Sequence, residues 1–244
     1  MTSNKRTVRP ICDGLWELAD ELSVMGMRFP LRMTIVALGE GELLLHSPVR
    51  IDDDAAREIA ELGRVTDIVA PSMLHHVHAG AARERYPEAK LHGAPGLAKK
   101  RADLTFDSTL GGEPPASWRG VLDQRLVEGC PKVNEVAFFH RPSRTVLLTD
   151  LVFHILEPRG WFTRLMMRLV GAYKRFVQSK LWRRFTKDRE AARASVEAIL
   201  SWDIERVVMC HGVIVDDNAK ARLTEALWWM RGVERRAATT ASAV

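Results

Sequence analysis

Alternating apolar positions and apolar positions at helical spacing divide the chain into two β-rich blocks, each followed by helices. In the first block Gly14 to Leu18, Arg32 to Leu38 and Glu42 to His46 read as strands, and Gly39 and Gly41 supply the glycines a hairpin needs. The period then changes. DDDAAREIAELG offers capping Asp residues, spaces Ala55, Ile59 and Leu62 along one helical face, and stops at Gly63. A strand follows in VTDIVAP, a short helix in AGAARERYPEA and a short strand in KLHGAP. From Gly96 to Asp123 loop residues dominate, with LGGEPPASW the clearest case. In the second block Val136 to His140 and Thr145 to Thr149 are apolar runs joined by RPSR, which predicts another strand pair. After a basic segment, DREAARASVEAILSW reads as a helix, IERVVMCHG as a strand, and DNAKARLTEALWWMRGVERR as a closing helix.

An order of strands, helices, strands, helices suits two packed sheets with helices outside them, in the α/β class. A doubly wound sheet fits less well, because the chain opens with hairpins instead of a strand–helix–strand unit. The domain is expected over residues 11–236, with a disordered tail at 1–10, a frayed one at 237–244 and a basic helical insertion at about 159–189. In 244 residues, 46% apolar content supports one sizeable core, and no repeat of fixed period is present. There is neither a long apolar run nor a charged start followed by an apolar segment, so no membrane span and no secretory signal is expected. Cys12, Cys130 and Cys210 are odd in number and far apart, which argues against a disulfide framework and for a reducing compartment, the cytoplasm.

The net charge of +5 is not evenly spread. Arg159 to Arg189 holds seven Arg and three Lys against one Asp, so that segment alone carries +9 and the remainder sums to −4. Within it Trp161, Phe162, Leu165, Met166, Leu169, Val170, Tyr173, Phe176 and Val177 recur at helical spacing, with Arg164, Arg168, Lys174 and Arg175 between them. The pattern predicts a basic amphipathic helix. Its apolar face either packs over the domain or a subunit contact, or anchors in a membrane interface while the cations meet anionic lipid or an acidic partner. Nucleic acid is not expected as a partner, because no base-reading module accompanies the charge.

Three of the eight histidines, His75, His76 and His78, fall within four positions, four residues after TDIVA. Asp150 follows TVLLT and His211 follows RVVMC, so three strand ends carry residues of metal-ligand type. Loops that follow strands gather on one edge of layered α/β folds, where residues distant in sequence can meet. Zinc or iron takes imidazole nitrogen and carboxylate oxygen at about 2 Å and keeps an open position when the site is catalytic. Neighbouring His75 and His76 would point to opposite sides of a strand, so both reach one ion only if the backbone turns there. His46 and His140 read as structural histidines near the site, and His92 and His154 receive no role. Cys130 is a candidate soft ligand, whereas Cys12 and Cys210 read as packing.

RMTIVALGEGELLLHSPVRID, DIVAPSMLHH, NEVAFFHRPSRTVLLTDL and RVVMCHG, in this order, resemble the metallo-β-lactamase superfamily, and within it a divergent branch known as a domain of unknown function. The resemblance spans roughly Ile11 to Met230 and implies an αββα sandwich with its metal site on one edge of the two sheets. The superfamily pattern is HxHxDH, then a His in a Gly-His-Thr context, an Asp and a final His. With His76 on the last His of the first motif, His75 stands where the Asp belongs. Pro71 and Met73 then replace the HxH pair and Cys130 the Gly-His-Thr histidine. One metal's ligands are lost. Those of the other become His75, His76, Asp150 and His211, a site for one divalent metal, zinc or iron.

Hydrolysis of a small-molecule substrate is the reaction class this implies, with Asp150 at the reacting centre and His78 or His140 as proton donor. A catalytically silent protein that binds a partner or an anionic membrane through the basic helix is the competing expectation.

Overall fold

The structure, a computed structural model, describes residues 6–232. One sheet holds seven strands paired in sequence order: β1 (Val8–Cys12), β2 (Leu15–Val24), β3 (Met27–Gly39), β4 (Glu42–His46), β5 (Arg64–Ala70), β6 (Lys90–Gly93) and β7 (Ser108–Thr109). β1 to β4 are antiparallel neighbours joined by tight turns, and Glu40 and Gly41 turn the β3–β4 hairpin with positive φ values of 51° and 73°. From β4 onward the pairing is parallel, so helices make the crossings: α1 (Asp53–Leu62), capped by the Asp52 carboxylate, then α2 (Ala79–Arg85) and α3 (Leu97–Lys100). The second sheet contains β8 (Leu122–Leu126), β9 (Val136–His140), β10 (Thr145–Leu148) and β11 (Arg206–Met209), in the order β11-β10-β9-β8. Between β10 and β11 run α4 (Trp161–Leu169), α5 (Lys180–Phe185) and α6 (Arg189–Leu200), and α7 (Ala219–Ala226) follows β11.

Period-two alternation explains why the second sheet is apolar on both faces. Val136 and Phe138 of β9 enter the core shared with the first sheet, while Ala137 and Phe139 enter a second core with α6 and α7. Leu147 and Val208 likewise face the first sheet, whereas Val146, Leu148, Val207 and Met209 face the helices. The result is the αββα sandwich that the sequence implies, with both sheets mixed.

Several expectations are corrected. Residues 8–10, expected in a disordered tail, belong to β1 and pair with β2, because Val8 and Ile11 pack on the core and Glu58 accepts the Val8 N–H. Residues 1–5, and the expected C-terminal tail with the end of the domain at 236, lie outside the described residues. β2 and β3 pair without a break as far as Val24 and Met27, well beyond the expected strands. The single basic helix is two short ones. It stops because Gly171 turns left-handed at φ 76°, after which Val177 exchanges backbone hydrogen bonds with Phe153. Among the described residues no helix is long and apolar enough to cross a membrane.

Candidate metal centre

Parallel pairing in register sets the first half of the site. Leu148 of β10 lies opposite Met209 of β11, and two residues beyond each stand Asp150 and His211, which therefore leave the sheet together. Cys210 N–H extends this ladder to the Leu148 carbonyl. Glu135 accepts the N–H groups of Thr149 and Asp150 at 2.6 and 2.8 Å, and the Trp182 indole donates to the Asp150 carbonyl at 2.5 Å. The other half comes from the loop after β5. Its Ser72 hydroxyl accepts the N–H of Leu74 and His75, which bends the chain immediately after the strand, and Met73 N–H ties the loop to Val133 of the other half.

The three side chains converge. His75 Nε2 and His211 Nε2 are 3.2 Å apart, and they lie 3.3 and 3.4 Å from Asp150 Oδ2 and Oδ1 respectively. Among the described residues these form the one group of histidine, cysteine or carboxylate donors close enough to share an ion. The distances suit that use, since ligand atoms at 2.0–2.1 Å around a tetrahedral ion are about 3.3 Å apart. Outer contacts anchor the other nitrogen of each ring. His211 Nδ1 donates to the Pro30 carbonyl at 2.8 Å, leaving its Nε2 lone pair toward the group, and His75 Nδ1 pairs with the Ser47 hydroxyl at 2.8 Å. Ser47, at the end of β4, holds a left-handed φ of 56°, a conformation that concentrates at functional sites. Phe153 stacks on His211 at 5.4 Å and Phe29 meets it edge-on at 5.8 Å, fixing the ring plane.

Burial disfavours charge on His75, yet the Asp150 carboxylate and the Cys210 thiol beside it hold its pKa well above the ordinary imidazole value. Burial likewise opposes ionisation of Asp150, but the two imidazoles keep its pKa far below the carboxylate range. The carboxylate is thus an anion that demands a cationic partner, whether a proton on an imidazole or a metal ion.

His76, expected as a ligand, is outside the group. The bend that turns His75 inward sends His76 the other way, where its Nδ1 lies 3.2 Å from the Arg101 guanidinium. Burial and the charges of Lys100 and Arg101 lower its pKa to about 4. His140, expected as a proton donor, is misplaced by the antiparallel pairing: it stands opposite Thr145 at the start of β10, whereas Asp150 follows the end of that strand. There it is bonded to Ser143 at 2.7 Å. His78 precedes α2 and is half-buried, and burial with the nearby Arg50 and Arg6 depresses its pKa against the pull of Asp20. Cys130 packs in the helix-side core, where burial pushes its thiol up to about 11, and it joins no donor group. His46 is fully enclosed edge-on against Phe138, and burial together with the charge of His75 takes its pKa down to about 3. The supports Ser47 and Pro30 carry no residue-type signal for metal, and Glu135, though a carboxylate, spends both oxygens on the Thr149 and Asp150 N–H groups. Only the nearness of Ser47 to the end of an apolar strand marks it beforehand.

A cleft of about 820 Å³, which none of the three donors lines, has walls that include Arg6, Arg9, Arg28, Arg50 and Arg159 together with Asp20, Glu21 and Glu157. It reaches Gly212 and Val213, immediately after His211, and Pro30, whose carbonyl holds the His211 ring.

A family model described as "Domain of unknown function (DUF4336)" matches residues 12–166. No curated protein matches the chain. Among solved structures, the DIM-1 metallo-β-lactamase exposed to ceftazidime superposes with a TM-score of 0.64 at 14% identity, covering 91% of this chain and 96% of its own. A metallo-β-lactamase from Pontibacter korlensis gives 0.62 at 14% identity, over 91% of this chain and 99% of its own. FIM-1 from Pseudomonas aeruginosa, in its mono-zinc form, gives 0.60 at 13% identity, over 91% and 94%. At such identities the likeness establishes the fold.

Proposed function

The chain belongs to the family described as "Domain of unknown function (DUF4336)" and has the metallo-β-lactamase fold, and from this premise we propose that it is a metal-dependent hydrolase with a single divalent ion held by His75, Asp150 and His211. The observation that carries the reading is the convergence of two imidazole nitrogens and one carboxylate within 3.4 Å of one another, each imidazole anchored through its other nitrogen.

Three protein donors are the number found in catalytic zinc sites, where the fourth position stays open. With His76 turned away, the set moves from a closed four-ligand shell to this open one. When bound, the metal supplies Lewis-acid activation of water and of a carbonyl or phosphoryl oxygen. The chain's own residues do the rest. Asp150 brings the negative charge, Phe153 and Phe29 limit water around His211, and the cleft receives a small-molecule substrate. His78, close to the cleft residues Asp20, Arg50 and Arg6, is the remaining candidate for proton transfer. Two imidazoles with one carboxylate suit zinc or iron(II). A mono-zinc form of the similarly folded FIM-1 supports occupancy by one ion.

Elemental analysis of the purified chain tests this. About one equivalent of zinc or iron is expected, lost in His75→Ala, Asp150→Ala and His211→Ala and retained in His76→Ala. Hydrolysis of chromogenic esters, thioesters or phosphodiesters is expected to disappear with the metal and return with it. Protein that takes up neither ion on reconstitution overturns the reading and favours a silent binding protein.

A further inference from the structure

We propose that the face formed by the β2–β3 tip and α4 docks on an anionic lipid bilayer. This goes beyond the hydrolase reading and does not depend on it.

α4 carries large apolar side chains on its outward face. Thr163 and Met167 point inward, while Trp161, Leu165 and Leu169, spaced at i, i+4 and i+8, face out with exposures of 76%, 42% and 60%. The orientation is locked, because the buried Thr163 hydroxyl accepts the Arg28 N–H at 3.0 Å. Beside the helix, Gly26 of the hairpin tip faces the Phe162 ring, and the adjoining Val24 and Met25 are exposed by 39% and 85%. Five large apolar side chains thus border solvent on neighbouring elements.

Cations are interleaved with them. Arg164 and Arg168 occupy the same outward face of α4, with Arg168 stacked on Tyr173 at 4.0 Å, and Lys174 and Arg175 follow, also exposed. No Asp or Glu occurs between Arg159 and Lys187. Phosphate contacts alone would explain the arginines but give no use to Trp161, Leu165, Leu169 and Met25. An interface in which apolar side chains enter the acyl boundary and guanidiniums meet headgroup phosphates uses both sets. Arg28, Leu156 and Arg159 continue this face into the cleft that reaches Gly212.

Flotation of the full chain with vesicles decides the matter. Co-flotation is expected with phosphatidylcholine–phosphatidylglycerol vesicles at about 0.1 M salt, and much less with phosphatidylcholine alone or at about 1 M salt. Arg164→Glu with Arg168→Glu is expected to weaken binding about tenfold or more. Trp161→Phe is expected to abolish part of the tryptophan quenching by brominated lipid, and Met25→Ser to reduce flotation, with melting temperatures unchanged. Failure of folded wild-type protein to float with the anionic vesicles overturns the proposal. So does flotation that neither the charge reversal nor Met25→Ser alters, or binding of single-stranded RNA in place of vesicles. Should the charge-reversal protein not fold, wild-type flotation and Met25→Ser decide.

Discussion

Glu135 is fully buried, and its two oxygens accept the N–H groups that lead into Asp150. Burial, with the Asp150 charge nearby, raises its pKa to about 7 even though both hydrogen bonds favour the anion. Its work is positional, for it fixes the backbone from which Asp150 reaches the two imidazoles. Glu135→Ala leaves two buried N–H groups without an acceptor. It is expected to cost about 2–5 kcal/mol in urea unfolding and to release bound metal. Asp20 shows the opposite electrostatics. Its burial opposes ionisation, but paired hydrogen bonds from Arg50 at 2.9 Å, the Glu21 N–H and the charge of Arg6 lower its pKa to about 2. A carboxylate whose pKa falls on folding stabilises the protein above the unfolded value and loses that contribution as pH falls through the folded one. Since Arg50 is largely solvated, the contribution is about 1–2 kcal/mol. Asp20→Asn is expected to lower neutral-pH stability by that amount and to flatten the decline between about pH 4 and pH 2 in urea titrations.

Elements bring residues together by register. His211 can follow β11 as it does only because the next residue is glycine: Gly212 sits at φ 111°, and a Cβ there would lie 2.1 Å from the His154 carbonyl oxygen. Gly212→Ala is expected to cost about 3 kcal/mol or more in thermal unfolding, and to lower metal content because the strand end must shift. The strand ends were readable in advance from TVLLTD and RVVMCHG, since apolar runs ending in a polar residue mark where a buried strand meets solvent. The choice between His75 and His76 was not. It rests on the Ser72 hydroxyl, which turns the chain by a local hydrogen bond that periodicity does not register. The length of the β2–β3 ribbon was hidden for a similar reason. Its outer half lacks a regular two-residue period in ADELSV and holds Pro30, a residue that argues against a strand interior, although Leu22, Phe29 and Leu31 pack inward.

At the scale of the molecule two cores flank the second sheet, and the site lies where the two halves meet: His75 comes from the first half, Asp150 and His211 from the second. An ion shared by them would cross-link the sandwich; binding the folded state alone, at about a hundredfold over its dissociation constant, it would add about 2.7 kcal/mol. Chelation is therefore expected to lower the melting temperature by roughly 5–10 °C, an effect absent in His211→Ala. His76→Ala is expected to keep the chelation shift, since His76 lies outside the donor group.

What the sequence by itself determined is the layered α/β architecture, the order of most strands and helices, and the strand ends where ligand-type residues gather. Those follow from the period and length of apolar runs, which act locally. The tertiary structure decided which donors share a point. It kept His75 and excluded His76, removed His140 to the far end of a hairpin, and ended the basic helix at Gly171 with its apolar ridge outward. The turn at Ser72, the stop at Gly171 and the β9–β10 hairpin are local. The meeting of His75 with Asp150 and His211 and the outward ridge of α4 depend instead on contacts between residues distant in sequence, such as His211 with Pro30 and Thr163 with Arg28, and such contacts exist only once the sheets have packed.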